Sequence, residues 1–410
     1  MNILVSNPGG NSLKVELVRC EPMQGHAFEG SKLISVSIEG IGKEPKLSRF
    51  EGKKQLTSEP IEARDFAQAA DSFFGWYGTH GASTNSEHAH SDIAQIDRVA
   101  VRVVHGAGVF HQPVVIDSDV EKKIIEFEKL APLHNKSSIE VLGPIQNKLR
   151  GLPIYAVFDT AFHRTIPEYA SRYAIDWDLA NRHGIRRYGF HGISHRYLLE
   201  RYAHLAGKSP EACNVVSTHL ESGCSVTAVR QGKSIDNTMG FTPLEGLMMG
   251  TRSGDVDPSV IPFLMREEGM SVEGVMRVLN KESGLLGVSG ISLDTRILMK
   301  DYDSNARVKL AMDMFAYRVR KAVGAYLAAL GDVDAVIFGG GIAENTKFVR
   351  QYVCDGLRGF GVEMDEDANS KLIDQEGRLS TPGSRIEVWV IPTEEGLQIA
   401  HECCQALLQH

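Results

Sequence analysis

Residues 2–18, NILVSNPGGNSLKVELV, hold an apolar run, a glycine turn and a second run in which apolar and polar residues alternate. We interpret residues 2–6 as a short buried strand, residues 7–12 as a tight turn and residues 13–18 as a second strand, which together form a hairpin. The same order returns at residues 213–229, CNVVSTHLESGCSVTAV. These two similar openings predict a duplicated α/β architecture with the ligand held between its halves.

The length of the chain agrees with this duplication. At 410 residues it is too long for one typical domain. A buried strand predicted at 153–158 opens the later part, and a strand at 387–391 precedes a closing helix. If that helix returns to the first half, the two halves are about equal in size. We therefore predict an N-terminal domain of residues 1–152 plus 394–410 and a C-terminal, nucleotide-binding domain of residues 153–393.

The composition narrows the class of protein. Hydrophobic residues make up 42% and charged residues 23% of the chain, as in ordinary globular proteins. The net charge of −8 argues against a general nucleic-acid binder, so an anionic substrate would need a local positive pocket. Neither a secretion signal nor a membrane-spanning run is recognisable, and the six cysteines show no metal-ligand spacing. We expect a cytoplasmic enzyme with reduced thiols and no membrane partner.

The segment MGFTPLEGLMMGTRSGDVDP (239–258) sets Arg252 among four glycines without a helical or strand period. Glycines let backbone N–H groups approach a ligand, and a guanidinium offers a planar fork of donors to a carboxylate or phosphate. The segment therefore predicts a shaped loop that binds an oxyanion. The alternative is an ordinary surface loop with a structural Arg–Asp pair.

Further candidates follow the predicted strands. Arg102 lies near the end of a buried strand at 96–104, and Asp159 follows the strand at 153–158, where α/β sheets bind ligands. A turn carrying Asn7, Ser12 and Lys14 can surround a phosphate, although Asn-Pro-Gly-Gly is equally good plain turn chemistry. The glycine loop GGGIAEN (339–345), between a strand and a helix, is a common nucleotide seat.

The segment IRRYGFHGISH (185–195) packs two arginines, two histidines and two glycines into eleven positions. It is too polar for a core, and we interpret it as one wall of a site. The alternative is a structural role, in which backbone carbonyls satisfy His191 and His195.

Together these motifs resemble a known family. The segments 7–14, 102–106, 134–135, 158–163, 186–195, 218–225, 239–258, 281–287 and 340–345 occur in the order seen in acetate kinases. The resemblance to the acetate and propionate kinase family covers nearly the whole chain. It implies the fold of the sugar-kinase and actin-like ATPase superfamily, with two duplicated α/β domains and a central cleft. It also implies phosphoryl transfer between ATP and a short carboxylate with Mg²⁺, and commonly a homodimer.

The resemblance assigns roles to individual residues. Arg102 and Arg252 would hold the carboxylate and the phosphoryl group, facing each other across the cleft. His191 would donate to the transition state, and Asp159 would position the acceptor or the metal. Asn7 and Glu395 would lie near Mg²⁺, and His134 would have a supporting role. The pocket for the acyl group would comprise Val104, Leu133, Phe190 and Pro243. The positions near nucleotide or phosphate would be Ser12, Lys14, His219, Ser222, Gly223, Asp294, Arg296, Gly340, Gly341, Ile342 and Asn345.

The sequence departs from the family pattern where phosphates should bind. The family has His-Leu-Gly-Asn-Gly where this chain has HLESG (219–223), so Glu221 and Ser222 replace a glycine and an asparagine. A carboxylate about 5 Å from a phosphate would repel it by roughly 3 kcal/mol at an effective dielectric near 20. Smaller departures are Gly10, Asn11 and Ala343, and residues 394–396 read EEG in place of Asn-Glu-Glu.

Three hypotheses follow from this comparison. The first is an ATP-dependent kinase that acts on acetate and also on propionate. The second is an acyl-phosphate enzyme that uses pyrophosphate or phosphate in place of ATP. The third is a catalytically silent paralogue. The presence of Arg102, His191 and Arg252 argues against it.

Overall fold

The computed structural model describes residues 1–21, 29–80, 95–129 and 135–408. The chain forms two compact units. The first comprises Met1–Ala161 and Glu394–His410, and the second comprises Phe162–Thr393. No helix of the described ranges is long and apolar enough to cross a membrane. Each of the six cysteines is a buried free thiol.

In the described part of the first unit, eight strands form one sheet. These strands are β1 (Asn2–Pro8), β2 (Ser12–Glu21), β3 (Glu29–Glu39), β4 (Lys46–Glu51), β5 (Lys54–Pro60), β6 (Arg98–Val103), β7 (Val114–Val115) and β8 (Ile154–Phe158). Their order is β5-β4-β3-β2-β1-β6-β8-β7. The helices that precede the second unit are α1 (Phe66–His80), α2 (Ser118–Glu126) and α3 (Asn135–Lys148), with a 3₁₀ turn at Phe127–Lys129.

The apolar pattern explains these elements. β1 has an apolar run at residues 3–5 and β8 is apolar throughout, and both strands are buried along nearly their whole length, as expected for inner strands of a sheet covered on both faces. Side chains of α1 and α3, among them Phe73 and Val141, pack on the sheet in one hydrophobic core. Asp117 caps α2 by accepting hydrogen bonds from the backbone N–H groups of Asp119 and Val120.

The second unit has a sheet of six strands across its described residues. The strands are β9 (Val215–Leu220), β10 (Cys224–Arg230), β11 (Lys233–Asn237), β12 (Ala335–Gly339), β13 (Gly377–Arg378) and β14 (Glu387–Val390), in the order β11-β10-β9-β12-β14-β13. The longest helix of this unit, at residues 306–330, presents a continuous buried stripe that includes Met312, Phe315 and Val319.

The described helices of the second unit lie before β9 and between the later strands. They are α4 (Glu168–Ser171), α5 (Trp177–His183), α6 (Gly192–Leu205), α7 (Val260–Glu267), α8 (Val272–Lys281), α9 (Gly284–Ser289), α10 (Thr295–Leu298), α11 (Ala306–Leu330), α12 (Gly341–Asn345), α13 (Lys347–Asp355) and α14 (Glu366–Lys371). Short 3₁₀ turns lie at Ala161–Thr165, Pro210–Ala212 and Arg358–Phe360. The last helix, α15 (Glu395–Leu408), packs on β1, β2 and β6 of the first unit.

The two sheets share one connectivity. In the first unit the order β3-β2-β1-β6-β8 joins three antiparallel strands to two parallel ones, and β11-β10-β9-β12-β14 repeats this arrangement in the second. Each unit therefore opens with a hairpin, and the predicted duplicated α/β fold is confirmed.

The predicted division at residues 152 and 153 is wrong in its position. β8 pairs in parallel with β6, from Val99 opposite Ile154 to Val103 opposite Phe158. These backbone hydrogen bonds make the strand an inner member of the first sheet, so the first unit extends to Ala161. A strand read from sequence as the start of the second half is therefore the end of the first.

Candidate active site

Polar side chains gather where the parallel strands of the first sheet end. Arg102 lies near the end of β6, and Asp159 follows β8. The Nη2 of Arg102 donates to Oδ2 of Asp159 at 2.8 Å, and its Nη1 donates to Oδ1 of Asn7 at 3.2 Å. The Asp159 side chain is only 1% exposed. Its negative charge is therefore compensated inside the protein by the arginine.

The same cluster reaches the first residue of α15. Nδ2 of Asn7 donates to Oε2 of Glu395 at 2.8 Å. Oδ1 of Asn7 accepts from Arg102. An amide oxygen and a carboxylate are hard oxygen ligands of the kind that Mg²⁺ accepts, together with the phosphates of its substrate. The residues present thus fit the cation, although the described residues contain no group of three or more His, Cys, Asp or Glu placed to hold a metal.

The departure at residues 394–396 has a structural counterpart. Gly396 leaves room for the carboxylate of Glu16, because a Cβ at this position would lie 1.5 Å from Oε2 of that side chain. Lys32 pairs with Glu16 at 2.7 Å and also contacts Glu394. The carboxylate of Glu16, from β2, therefore lies at the start of α15. In the family pattern, the position of Gly396 in the helix carries a second glutamate.

The remaining predicted residues of the first unit are more dispersed. In the hairpin turn the backbone N–H of Gly9 donates to the carbonyl of Ser12 at 2.7 Å. Lys14 is exposed and lies on β2 opposite Asn7 of β1, close to the turn. Val104 is buried directly after β6. Leu133 and His134 lie outside the described residues.

In the second unit, the turn between β9 and β10 brings two predicted residues together. A Cβ added at Gly223 would lie 3.1 Å from Nε2 of His191 and 3.3 Å from Nη1 of Arg252. An imidazole and a guanidinium therefore both lie directly against the backbone of this turn. A side chain at this position would crowd both donors, so glycine lets them approach the backbone closely.

Arg252 differs from Arg102 in its partners. Its Nη1 donates to the carbonyl of Pro243 at 3.2 Å and contacts Sδ of Met249 at 3.7 Å. Among the described residues no carboxylate pairs with Arg252, and its burial lowers the pKa of the guanidinium. The alternative of an Arg–Asp pair is wrong, since neither aspartate of the described loop pairs with Arg252. Asp255 and Asp257 instead accept from backbone N–H groups. The arginine carries a charge that the fold leaves uncompensated.

The loop that carries Arg252 contains neither helix nor strand from Met239 to Asp257, as the sequence predicted. Arg187 fixes it to the segment before α6 by pairing with Glu245 at 2.8 Å and donating to the carbonyl of Asn237. Tyr173 also contacts Glu245. Gly254 adopts a φ of 67°, and a Cβ there would lie 2.3 Å from the carbonyl of Leu247. The glycines therefore permit the close chain approach that shapes the loop.

His191 precedes α6 in a left-handed conformation, with φ of 57°. Its ring lies 4.2 Å from that of His219, and its Nδ1 hydrogen-bonds Oγ of Ser225 at 2.8 Å. His195 is fully buried one turn later, and its ring nitrogens hydrogen-bond serine hydroxyls. In the alternative of a structural role, backbone carbonyls would satisfy both histidines, but the ring nitrogens of His195 contact serine hydroxyls instead. The serines were missed because their strands give no sign of facing the site.

Two residues of the β9–β10 turn, Glu221 and Ser222, differ from the family pattern. They lie beside other candidate site residues. Oε2 of Glu221 is 3.7 Å from Nε2 of His219, and 48% of the glutamate side chain is exposed. Its Cγ lies 4.0 Å from the position of a Cβ on Gly341. The carbonyl of Ser222 accepts a long hydrogen bond, 3.4 Å, from the backbone N–H of Gly250. Glu221 thus belongs to the predicted phosphate turn and lies near the predicted nucleotide loop.

The predicted pocket residues of this unit are both buried. Phe190 is 1% exposed, and its carbonyl is bonded to Nε2 of His163 at 2.9 Å. Pro243 is buried beside Arg252, to which its carbonyl is bonded.

A cavity of about 740 Å³ lies farther along the same unit. Two predicted nucleotide residues, Arg296 and Asn345, line it, and Asp294 caps α10 and pairs with Arg296 at 2.7 Å. Sequence reasoning missed the other lining residues, including Lys347, Phe348 and Arg358. They lie on α13 and in the turn after it. The glycine loop shortly before them in sequence could have indicated that they line a nucleotide site.

The loop before this cavity approaches the neighbouring strand closely. Gly340 has a φ of 87°, and a Cβ there would lie 2.7 Å from the backbone of Leu220 at the end of β9. Its N–H donates to Oε1 of the buried Glu344 at 2.9 Å. Gly341 and Ile342 then begin α12, which ends at Asn345 in the cavity wall.

Comparison with known proteins agrees with this arrangement. The acetate kinase of Chloroherpeton thalassium is 40% identical over 420 residues, covering 100% of both chains. A crystal structure of Porphyromonas gingivalis acetate kinase matches with a TM-score of 0.87 and 36% identity, covering 99% of each chain. A propionate kinase from Francisella tularensis matches with a TM-score of 0.86 and 35% identity, covering 98% of each chain.

The duplicated fold and the full-length relatives define a kinase. The sequence model of the acetokinase family matches residues 2–401. The chain belongs to the acetokinase family.

Proposed function

We propose that the protein transfers a phosphoryl group from ATP to a short carboxylate, giving ADP and an acyl phosphate. The observation that carries this proposal is Arg252, which no carboxylate of the described residues compensates and which lies, like His191, against Gly223. Such a site suits a group whose negative charge is spread over several oxygens. Membership of the family and the names of the acetate and propionate kinases that match the chain support it.

The reaction we propose is a direct in-line displacement. A carboxylate oxygen attacks the γ-phosphorus, a P–O bond forms, and the bond from that phosphorus to the β–γ bridging oxygen breaks. The electron pair of the broken bond leaves with ADP. Arg252 neutralises the equatorial oxygens of the transferring group, and His191 donates a hydrogen bond to it. Arg102, oriented by Asp159, binds the carboxylate. The protein contributes alignment and charge neutralisation, with no covalent intermediate.

We infer that Mg²⁺ accompanies the nucleotide. Asn7 and Glu395 would hold it, directly or through water, because the two side chains are in hydrogen-bond contact and each carries an oxygen ligand. When bound, the cation neutralises phosphate charge. Ser12, Lys14, His219, Ser222 and Gly223 are proposed to lie near the phosphates. The nucleotide itself is proposed to occupy the second unit, along Gly340, Gly341 and Ile342 and in the cavity with Asp294, Arg296 and Asn345.

The acyl group is proposed to contact Val104, Leu133, Phe190 and Pro243. His134 is proposed to have a supporting role. Buried apolar side chains favour acetate or propionate over larger or polar acids. One methylene changes binding by only about 1–3 kcal/mol, so both acids are expected to react.

The direct test measures acyl phosphate formation with hydroxylamine trapping. Purified protein is incubated with ATP, Mg²⁺ and acetate, propionate or butyrate. We expect turnover with acetate and propionate, stoichiometric ADP, and loss of turnover when Mg²⁺ is chelated. Absence of acyl phosphate with every acid, from protein that is folded by circular dichroism, would favour the silent paralogue and overturn the proposal.

A second candidate keeps the acyl phosphate and changes the donor to pyrophosphate or phosphate. The position of Glu221, near His219 and Gly341, favours it because this side chain lies against the loop proposed for the nucleotide, a loop that a donor without adenosine does not need. Acetyl phosphate formation with ATP and with pyrophosphate is compared before and after the double change Glu221→Gly and Ser222→Asn. A gain in ATP use assigns the effect to this turn, and no gain dismisses it.

We further propose that the protein works in the cytoplasm as a homodimer. Exposed apolar side chains of the second unit, including Tyr169, Ile175 and Trp177, offer a surface for a second copy. Sedimentation velocity tests this: a monomer at micromolar concentration would contradict it.

A further inference from the structure

Two serines and two histidines form one hydrogen-bonded chain in the second unit. Oγ of Ser217 lies 2.8 Å from Nδ1 of His195, whose Nε2 lies 2.8 Å from Oγ of Ser225. The same Ser225 oxygen lies 2.8 Å from Nδ1 of His191. β9, β10 and α6 supply these residues, and Ser217, Ser225 and His195 are completely buried.

The protonation of His195 limits how this chain can be arranged. Burial, together with the neighbouring His163 and His219, lowers the pKa of His195 well below its ordinary value. The ring is therefore neutral at physiological pH, with a proton on one nitrogen and a lone pair on the other. Each serine hydroxyl has one proton to donate.

One arrangement uses every one of these protons. Ser217 donates to Nδ1 of His195, Nε2–H of His195 donates to Ser225, and Ser225 donates to Nδ1 of His191. Any other assignment leaves a serine proton without an acceptor, since the described residues give Ser217 and Ser225 no further hydrogen-bond partner. An unsatisfied buried donor costs about 1–3 kcal/mol, enough to select the first arrangement.

We propose that Ser217, His195 and Ser225 are positioning residues that hold the proton of His191 on Nε2. That nitrogen lies against Gly223, beside Nη1 of Arg252. His191 is then a neutral hydrogen-bond donor whose N–H is fixed at the place where two donors converge. The proton itself does not move along the chain during the reaction.

The functional consequence rests on the proposed phosphoryl transfer. A donor held in one tautomer needs no rearrangement when charge develops on the transferring group. With the proton on Nδ1, the Nε2 lone pair would face the phosphoryl oxygens and repel them. The chain therefore keeps His191 in its useful form without adding a positive charge.

The test reads the tautomer directly by NMR. Protein labelled with ¹⁵N-histidine is studied without substrates, in a long-range ¹H–¹⁵N correlation experiment, and His191 is assigned by the signals lost in His191→Gln. We expect a protonated Nε2 and an unprotonated Nδ1. In Ser225→Ala we expect a population with the proton on Nδ1 and about a tenfold fall in kcat, with both KM values within about threefold. Ser225→Thr retains the hydroxyl and should restore both.

Ser234→Ala is the matched control, because Ser234 hydrogen-bonds another buried histidine, His163, in the same unit. We expect the His191 tautomer to be unchanged in it. A proton on Nδ1 in the unaltered protein, or an unchanged tautomer in Ser225→Ala, would overturn the inference. Since the spectrum needs no substrate, the expected tautomer without acyl phosphate formation would instead overturn the proposed function alone.

Discussion

Arg102 and Arg252 carry the same charge in different surroundings. In the first unit, Arg102 pairs with the buried Asp159 at 2.8 Å and reaches Asn7. In the second unit, Arg252 is bonded to a backbone carbonyl and contacts a thioether, with no paired carboxylate among the described residues. One guanidinium is part of an internal ion pair, and the other lies beside a histidine against a glycine turn.

The difference separates the needs of the fold from those of the site. Removing one partner of a buried ion pair leaves an uncompensated charge, so the first unit depends on Arg102 for stability. Burying a guanidinium with few partners is unfavourable, so the second unit gains little stability from Arg252. A cation retained at such a position is available to an anionic ligand. The comparison thus predicts different consequences for removing each arginine.

The largest expected effect is on catalysis in the second unit. Arg252→Ala should lower kcat/KM for acyl phosphate formation about a thousandfold or more, which is roughly 4 kcal/mol of transition-state stabilisation. Its free energy of unfolding should stay within about 1 kcal/mol of the unaltered protein. Arg277→Ala is the control, because Arg277 is an exposed arginine paired with Glu282. Loss of activity that merely tracks unfolding would break the comparison.

The next effect is on stability in the first unit. Arg102→Met should lower the free energy of unfolding by about 3–5 kcal/mol, because Asp159 stays buried without its cation. Urea denaturation measures this. Adding Asp159→Asn should recover most of the stability without recovering activity. Equal stability of Arg102→Met and Arg252→Met would show that the two arginines are not different in the way described.

A pH-dependent effect in the first unit comes from His105, three residues after Arg102. Burial lowers the pKa of His105 to about 4, and its Nδ1 accepts from the backbone N–H of Ala107 at 2.9 Å. The unfolded chain therefore binds a proton at a higher pH than the folded protein does. The contribution of neutral His105 to the free energy of unfolding is complete above about pH 6.5. It is lost as the pH falls towards 4, and the total loss is about 3 kcal/mol.

Unfolding free energies of the unaltered protein and of His105→Gln, measured from pH 7.5 to 4.5, isolate this group. The difference between the two should shift in favour of the variant as the pH falls. A difference that is constant with pH would show that His105 does not titrate in this window.

The smallest effect tests the turn that holds the two donors of the second unit. Gly223→Ala should displace His191 or Arg252 by a few tenths of an ångström and lower kcat/KM about tenfold. Gly324→Ala, inside α11 where a Cβ meets only Leu357 at 3.8 Å, should leave activity unchanged. Equal activity of the two variants would mean that the donors do not depend on this close approach.

Much of this fold could be predicted from local patterns. The two hairpins, the buried parallel strands and the 25-residue α11 follow from apolar periodicity and turn residues, which act over short stretches of chain. The domain boundary could not, because the pairing of β8 with β6 is a contact between distant segments. β4 and β5 were missed, since the exposed residues of β5 give no clear alternation of burial.

The site divides in the same way. Glycine-rich motifs marked the loops at Gly223 and Gly340, and the strand ends marked Arg102 and Asp159. Ser217 and Ser225 look like ordinary strand residues, and only the pairing of β9 with β10 beside α6 brings them to the histidines. Arg350 is also unmarked in sequence, although it is fully buried and donates to the carbonyls of Ala343 and Glu344 beside the cavity.

The central claim is that Arg252 is held for a ligand anion and not for the fold. Chemical rescue tests it most directly: the rate of acetyl phosphate formation by Arg252→Ala is measured as guanidinium is added at concentrations that do not unfold the protein. A small cation can occupy the space left by the side chain, so the rate should rise saturably, by about tenfold or more. A rate close to that of the unaltered enzyme before guanidinium is added, or a low rate that guanidinium does not raise, would contradict the claim.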